Sequence, residues 1–213
     1  MQTYSARRTT LGYLEVICGP MFSGKSEELI KRLQRAKIAK QTVLAFKDYQ
    51  HNHAIEYIIS HDGNKISARP IGAVQEIIHI AEQEHADVIC IDNAHFFSQK
   101  IIPTICELIK KEKRVIVAGL DLDFRGIPFG PIPTLLALAD SITKLHAICS
   151  LCGNNGHFTQ RLINGRPAHY DDPIIMIGAQ ETYQARCRQC YYIDKAAPFM
   201  SLEHYESNTE KII

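Results

Sequence analysis

Eight consecutive residues, Gly19-Pro20-Met21-Phe22-Ser23-Gly24-Lys25-Ser26, fit the pattern G-x-x-x-x-G-K-[ST] without a gap. Glycines let successive backbone N–H groups curl around phosphate oxygens, and the N-terminus of a following helix adds its positive end. In that arrangement Lys25 reaches the β and γ phosphates, and the Ser26 hydroxyl holds Mg²⁺. The flanks suit the pattern. Leu14 to Cys18 reads as a strand, and Glu27 to Lys40 as a helix with Leu29, Ile30, Leu33 and Ala36 on one face. A chance glycine-rich turn would need neither flank. The stretch predicts binding of a nucleoside triphosphate.

Three further groups carry chemistry. Val88-Ile89-Cys90-Ile91 ends on Asp92. An acidic residue closing a buried strand downstream of a phosphate loop suits a carboxylate that supports Mg²⁺, although Asp after a strand is also a common turn former. Cys149-Ser150-Leu151-Cys152 and Cys187-Arg188-Gln189-Cys190 form two C-x-x-C pairs. Four thiolates on two tight turns suit tetrahedral Zn²⁺, and with every position filled by protein the site is expected to be structural. A pair of redox dithiols is the rival reading, but neither pair has a thioredoxin-like setting. His157 and His169 could also ligate, but in a chain with ten histidines both are expected to be surface residues. Finally, Ala118 to Gly130 mixes aromatic, acidic, Arg and Gly residues in a loop after a buried strand, where ligands bind in parallel sheets. Its plain alternative is a connection packed by its own phenylalanines.

The elements that must position these groups are legible as apolar runs. Thr42 to Phe46, Val88 to Ile91 and Arg114 to Ala118 lack polar alternation, as strands of a parallel sheet covered on both faces do. Helical spacing lies between them, at Val74, Ile77, Ile78 and Ala81 and at Ile101, Ile105, Leu108 and Ile109. Pro103 is compatible with the latter helix only in its first turn. Right-handed crossovers make this a doubly wound α/β domain, expected over residues 11–147. A small zinc-binding module follows over 148–195, rich in Cys, Gly, Asn and Arg, with a β-like run at Ile174 to Ile177. Residues 1–10 and 196–213 are expected to be loose termini.

Composition excludes some classes. The chain has 213 residues, 46% of them hydrophobic, and a net charge of +1. Nothing in that balance draws it to nucleic acid or an anionic membrane. No apolar run reaches the length of a membrane span, and Met1 to Leu11 lacks the apolar core of a signal peptide. Seven cysteines, three inside apolar segments and four grouped for metal, point to a reducing compartment, so the cytoplasm is expected.

Together these residues resemble the zinc-containing thymidine kinases of bacteria and animal cytosol, the type II enzymes. The likeness runs from about Leu14 to Tyr192. It rests on GPMFSGKS at 19–26, SHDG at 60–63, ID-x-A-x-FF at 91–97, AGLD-x-DFRG-x-PFG at 118–130, KL-x-A-x-C at 144–149, FT-x-R at 158–161 and ETY-x-x-x-CRQC at 181–190. The resemblance implies ATP-dependent phosphorylation of the thymidine 5′-hydroxyl to dTMP, a step of nucleotide salvage that supplies DNA synthesis. It implies a P-loop α/β domain carrying a small C-terminal zinc domain of the lasso type, and a homotetramer. By position, Met21, Phe96, Leu120, Phe124, Thr159 and Tyr183 would line the base pocket. Backbone groups at Ile174, Met176 and Ile177 would meet the thymine edge. Asp92, Asn93, Ala94 and His95 would complete the nucleotide site, and Arg125 would assist the phosphates or shape the substrate loop.

The chain also departs from that pattern. The family has Asp-Glu where this chain has Asp92-Asn93, and the Glu acts as general base toward the 5′-hydroxyl. An amide can orient a hydroxyl but does not take its proton at pH 7. The family's Gln is His95 here, an imidazole that could serve as a replacement base or simply hydrogen-bond. An upstream Asp-x-Arg-Tyr element is replaced around His51 to Ala54, and a glycine pair has become Gly178-Ala179. Two readings therefore stand: a working thymidine kinase, and a degenerate nucleotide-binding relative with weak or no catalysis. A third, a nucleic-acid-stimulated ATPase with a zinc ribbon, is disfavoured by the charge.

Overall fold

Continuous aliphatic and β-branched runs become buried parallel strands, and residues with helical spacing cover them. The computed structural model describes residues 12–49, 56–60, 62–174 and 181–194. In chain order the elements are β1 (Tyr13–Cys18), α1 (Lys25–Ile38), β2 (Val43–Asp48), β3 (Tyr57–Ile59), β4 (Lys65–Ser67), β5 (Arg69–Ile71), α2 (Glu76–Gln83), β6 (Val88–Asp92), α3 (Ile101–Lys110), β7 (Arg114–Gly119), α4 (Ile132–Leu138) and β8 (Ser141–Lys144). Five short strands follow: β9 (Ala147–Ile148), β10 (Asn155–Gly156), β11 (Phe158–Ile163), β12 (Arg166–Pro167) and β13 (Glu181–Arg186).

Six strands form one sheet in the order β5-β2-β6-β7-β1-β8. Every neighbouring pair in it is parallel. Alternate residues of each strand enter opposite cores, as a period of two requires. Val16, Phe46, Ile89, Ile91, Val115 and Val117 pack with α2, α3 and α4. Ile17, Ala45, Val88, Cys90, Ile116 and Ala118 pack with Leu29, Ile30, Leu33 and Ala36 of α1. Helices on both faces make the sheet doubly wound. Leu33 is fully buried in the second core, and truncating such a side chain costs about 2–5 kcal/mol.

Local chemistry adjusts the element ends. α1 begins at Lys25, not Glu27, because Gly24 takes the left-handed conformation that caps it, and it ends at Ile38, before Lys40 turns at φ 60°. α2 begins at Glu76, so Val74 precedes it, although Val74 is still buried. Pro103 falls in the first turn of α3, where its missing N–H would have had no helical partner.

The chain divides into two compact units, and not by a single cut in sequence. The first comprises 12–18, 24–121 and 129–145, and holds the large sheet; the second takes 19–23, 122–128 and the described chain from His146 onward. In the second unit β11 is the centre of a three-stranded antiparallel sheet, β12-β11-β13, with a β9-β10 hairpin beside it in sequence. Phe124, Ala168 and Ile193 form its small core. Of the run expected at Ile174 to Ile177, only Ile174 is described, and it lies in a bend. The rest of that run, the two terminal segments, His51 to Ala54 and Gly178-Ala179 lie outside the described residues.

Candidate active site

The phosphate-loop residues leave β1 at its C-terminal end and enter α1. Gly19 has φ 144°, Phe22 φ 64° and Gly24 φ 80°. A bulky aromatic residue at positive φ is a strained conformation that surroundings must hold, and here it turns the loop while Phe22 stays 55% exposed. The N-cap Gly24 gives α1 no side-chain cap among the described residues, and a helix N-terminus following such a loop favours an anion. Ser23 Oγ is buried and makes no hydrogen bond among the described residues. Gly19 and Pro20 are buried, and Met21 and Ser26 are partly exposed.

Two buried carboxylates act electrostatically on Lys25. Asp92 ends β6 and is 8% exposed; Asp121 follows β7 and is 6% exposed. Burial pulls the Lys25 ammonium down to about 8, against Asp92 and Asp121, which hold it up. Burial likewise pushes the Asp92 carboxyl up to about 6, against the backbone N–H of Asn93 and the ammonium groups of Lys25 and Lys47. Lys144 Nζ stands 2.9 Å from Asp121 Oδ2, an ion pair by distance. Its direction is not that of a hydrogen bond, and neither Asp121 oxygen accepts one. A buried carboxylate without hydrogen bonds is costly. Carboxylate oxygens that accept no hydrogen bond, at the ligand-binding end of a parallel sheet, suit a hydrated divalent cation with its triphosphate.

Sequence pattern alone does not mark Lys47 or Asp121. Lys47 ends the buried stretch of β2 directly opposite Asp92 in the parallel register. Its signal was a charged residue closing a strand at the ligand-binding end.

Asn93 follows Asp92 with φ 51° and ψ 41°. Asn is several-fold enriched in this left-handed region and Glu is not. Its Nδ2 lies 3.5 Å from Asp92 Oδ2, a marginal contact. Ala94 and His95 continue into a single 3₁₀ turn ending at Phe96. His95 is 4% exposed. Its Nδ1 accepts the N–H of Leu120 at 3.1 Å, and its ring packs 4.1 Å from Phe96 and 4.8 Å from Phe129. Gly119 and Gly130 crowd it, since a Cβ on Gly119 would stand 3.2 Å from Nδ1 and one on Gly130 2.3 Å from the His95 carbonyl oxygen. With Nδ1 accepting, the neutral ring carries its proton on Nε2, so neither nitrogen is left as a base. His95 is a hydrogen-bonding link between two loops.

In the second unit several expected pocket residues meet on one sheet. Thr159 and Arg161 lie on one face of β11, opposite Ala185 and Tyr183 of β13. Thr159 Oγ1 accepts the N–H of Met21 at 3.0 Å. Phe124 is buried; its carbonyl accepts Tyr191 O–H at 2.6 Å, and the Arg161 guanidinium lies 5.0 Å from its ring. Arg125 turns back on its own loop, donating from Nε at 2.9 Å and Nη2 at 2.7 Å to Asp123 Oδ2. It also lies 5.5 Å from the Tyr170 ring. Met176 and Ile177 are outside the described residues.

Cys149, Cys152, Cys187 and Cys190 come together with all four sulfurs within 4.8 Å of one another. Matching turns close each pair, with Gly153 N–H on Cys149 O at 2.9 Å and Tyr191 N–H on Cys187 O at 2.9 Å. Burial raises the Cys149 thiol, but backbone N–H groups of Cys187, Leu151 and Cys152 outweigh it and bring the value down to about 6. Donating its own S–H to Cys152 and Cys187 pushes Cys190 the other way, up to about 12. Four crowded thiols cannot all ionise without a cation, and this donor set suits Zn²⁺. His157 pairs edge-on with His146 at 4.4 Å, His169 accepts a backbone N–H from Asp171, and neither joins the cluster. Both are partly buried, less exposed than expected.

A separate cleft of about 290 Å³, lined by Arg32, Arg35, Ala36, Ala39, Gln41 and Arg114, lies at the end of α1 and the start of β7. That is the wrong end of the strands for the substrate of a parallel sheet. Arg32 and Arg114 are already held there by buried Glu15, each at 2.6 Å.

The family model described as thymidine kinase matches residues 12–191. A thymidine kinase of Coprothermobacter proteolyticus is 56% identical over 177 residues, which cover 83% of this chain and 88% of that protein. A family model over most of the chain and a relative of that identity and coverage agree: the chain belongs to the thymidine kinase family.

Proposed function

We propose that this chain transfers the γ-phosphoryl group of ATP to the 5′-hydroxyl of thymidine, as a salvage kinase with a structural zinc. The observation that carries the reading is the charge arrangement at the strand ends: Lys25, opening the helix after the phosphate loop, has its charge held up by buried Asp92 and Asp121. Gly19 to Gly24 cradle the triphosphate through backbone N–H groups, Lys25 reaches its β and γ oxygens, and Ser26 and Asp92 hold Mg²⁺. The metal, when bound, neutralises charge on the transferring phosphoryl group. Met21, Phe124, Thr159 and Tyr183, all of the second unit, would meet a flat base, and backbone groups around Ile174 would read its polar edge.

Asn93 occupies the position of the family's base and orients the 5′-hydroxyl without accepting its proton. His95 does not take over that task, because its acceptor nitrogen is engaged by Leu120. Loose phosphoryl transfer places little demand on a base, so turnover continues at a reduced rate. Arg125, tied to Asp123, shapes the loop that carries Phe124. The four cysteines hold Zn²⁺, and the active assembly is a homotetramer in the cytoplasm. Among the described residues no helix is long and apolar enough to cross a membrane.

The test is direct. Purified chain with Mg·ATP and thymidine is expected to yield dTMP and ADP in equal amounts, and Lys25→Met is expected to slow the formation of both by about 10²–10³-fold. ATP hydrolysis without nucleoside product, or no consumption of ATP, overturns the reading.

A further inference from the structure

Arg161 heads the large side chains that are completely buried, with 0% exposure in the centre of β11. Removing a guanidinium from water costs several kcal/mol, and replacing a buried charged group by an apolar one of similar volume is often neutral or stabilising. Stability alone is therefore a poor account of it. Its contacts suggest another. Nη1 donates to the Pro173 carbonyl at 2.6 Å. The guanidinium carbon lies 5.0 Å from the centroid of the Phe124 ring. Tyr183 stands opposite it on β13, and Thr159, two residues away on the same face, accepts the Met21 N–H. The backbone of Arg161 is occupied too, its carbonyl accepting Ala168 N–H at 3.0 Å.

We infer that Arg161 is a positioning residue for the nucleoside base: one planar cation fixes the Phe124 ring, the strand that carries Tyr183 and the turn that leads into Ile174. This rests on the thymidine kinase reading above, and extends it to a residue that touches no substrate. Arginine suits the task because its fork donates in fixed directions while its face stacks on an aromatic ring. Lysine, a flexible point charge, does neither as well. The Phe124 carbonyl is held in parallel by Tyr191, so the ring is fixed at one side by its backbone and at the other by Arg161.

The experiment compares wild type with Arg161→Met and Arg161→Lys. Thymidine and ADP dissociation constants are measured by calorimetry, steady-state KM values for thymidine and ATP by initial rates, and zinc per chain by metal analysis. Loss of a charge-assisted hydrogen bond from the pocket's support is expected to weaken thymidine about ten- to hundredfold in both variants. ATP and ADP are expected to stay within about twofold, with one zinc per chain retained. The contrast is discriminating because thymidine is neutral and ATP is a polyanion, so loss of general positive charge would fall on the wrong ligand.

Thymidine affinity within twofold of wild type in Arg161→Lys or Arg161→Met overturns the assignment, as does an equal weakening of both ligands with loss of zinc. Should Arg161→Met fail to fold, Arg161→Lys and Phe124→Leu, singly and combined, decide. Coupling between them in thymidine affinity supports the inference, and strict additivity overturns it. A wild-type protein that binds no thymidine overturns the functional reading itself. Wild-type binding with unaffected variants overturns only the role of Arg161.

Discussion

Restoring a carboxylate at position 93 tests what the amide costs. Asn93 sits at φ 51° and ψ 41°, directly after the buried Asp92. Asn93→Glu supplies a proton acceptor, and general bases contribute typically ~10²–10⁴-fold. Because the transition state is loose and depends little on deprotonation, the lower end applies, and kcat is expected to rise by about a hundredfold. The backbone sets the opposing cost. Left-handed conformation disfavours residues other than Gly, Asn and Asp by about 1–2 kcal/mol, which for a chain of this size lowers Tm by roughly 2–8 °C. The informative control is Asn93→Gln, which carries the same backbone cost and the same side-chain length but no base. Initial rates at saturating Mg·ATP and thymidine, with thermal denaturation of all three proteins, separate the terms. Both variants are expected to lose Tm, and only Asn93→Glu to gain kcat. Equal kcat in the two variants refutes the argument that the missing base limits turnover. An unchanged Tm in both refutes the backbone argument.

Four other outcomes follow from the same geometry. Lys25→Met is expected to lower kcat by about 10²–10³-fold, as removal of one preorganised donor does, checked by initial rates. With Lys25 held down to about 8, binding of ATP, which favours the charged form, is expected to take up about half a proton at pH 8 and almost none at pH 6.5; calorimetry in buffers of different ionisation enthalpy reads this directly. Asp92 has its carboxyl raised from 3.8 to about 6, so the stability it gives is fully present below about pH 4 and is lost as pH rises through about 6. Asp92→Asn is therefore expected to stabilise the magnesium-free protein at pH 7 by on the order of 3 kcal/mol, while removing magnesium-dependent activity; melting curves at pH 7 and pH 4 should differ in that advantage. Chelation of zinc, or Cys149→Ser, is expected to abolish thymidine phosphorylation, with loss of near-ultraviolet dichroism from the cysteine module, because closure of such a small unit depends on its metal.

How far the sequence carries depends on whether a residue acts through the chain or across space. The phosphate loop was legible because backbone conformation is local: Gly24 had to be permissive, and it is the αL cap of α1. Strands β2, β6 and β7 were legible because a two-sided core demands unbroken apolar runs. The cysteine pairs read as one cluster since each supplies both its ligands within a single turn. Lys47 and Asp121 were harder, because their meaning comes from neighbours distant in sequence: Lys47 faces Asp92 across a strand pair, and Asp121 acts on Lys25 from 96 positions away. Arg161 shows the limit most sharply. Its motif, FT-x-R, was visible, but a charged residue in a short amphipathic strand normally points to water, and only the β11–β13 register and the return of the chain at Pro173 bury it.

The same distinction separates Asn93 from His95. Taken as chemical types, the imidazole was the better candidate for a base and the amide an inert replacement. In the fold the imidazole is spent on Leu120 and hemmed in by Gly119 and Gly130, while the amide occupies a backbone conformation that few other residues accept at low cost. On the proposed reading, a Glu in the same left-handed turn would bring catalysis at the expense of stability. Asn would relieve that strain and forgo the base. The substitution is therefore best understood as a shift along a stability–activity trade-off at one strained position, which is why the paired measurement of kcat and Tm, and not either alone, identifies what residue 93 does.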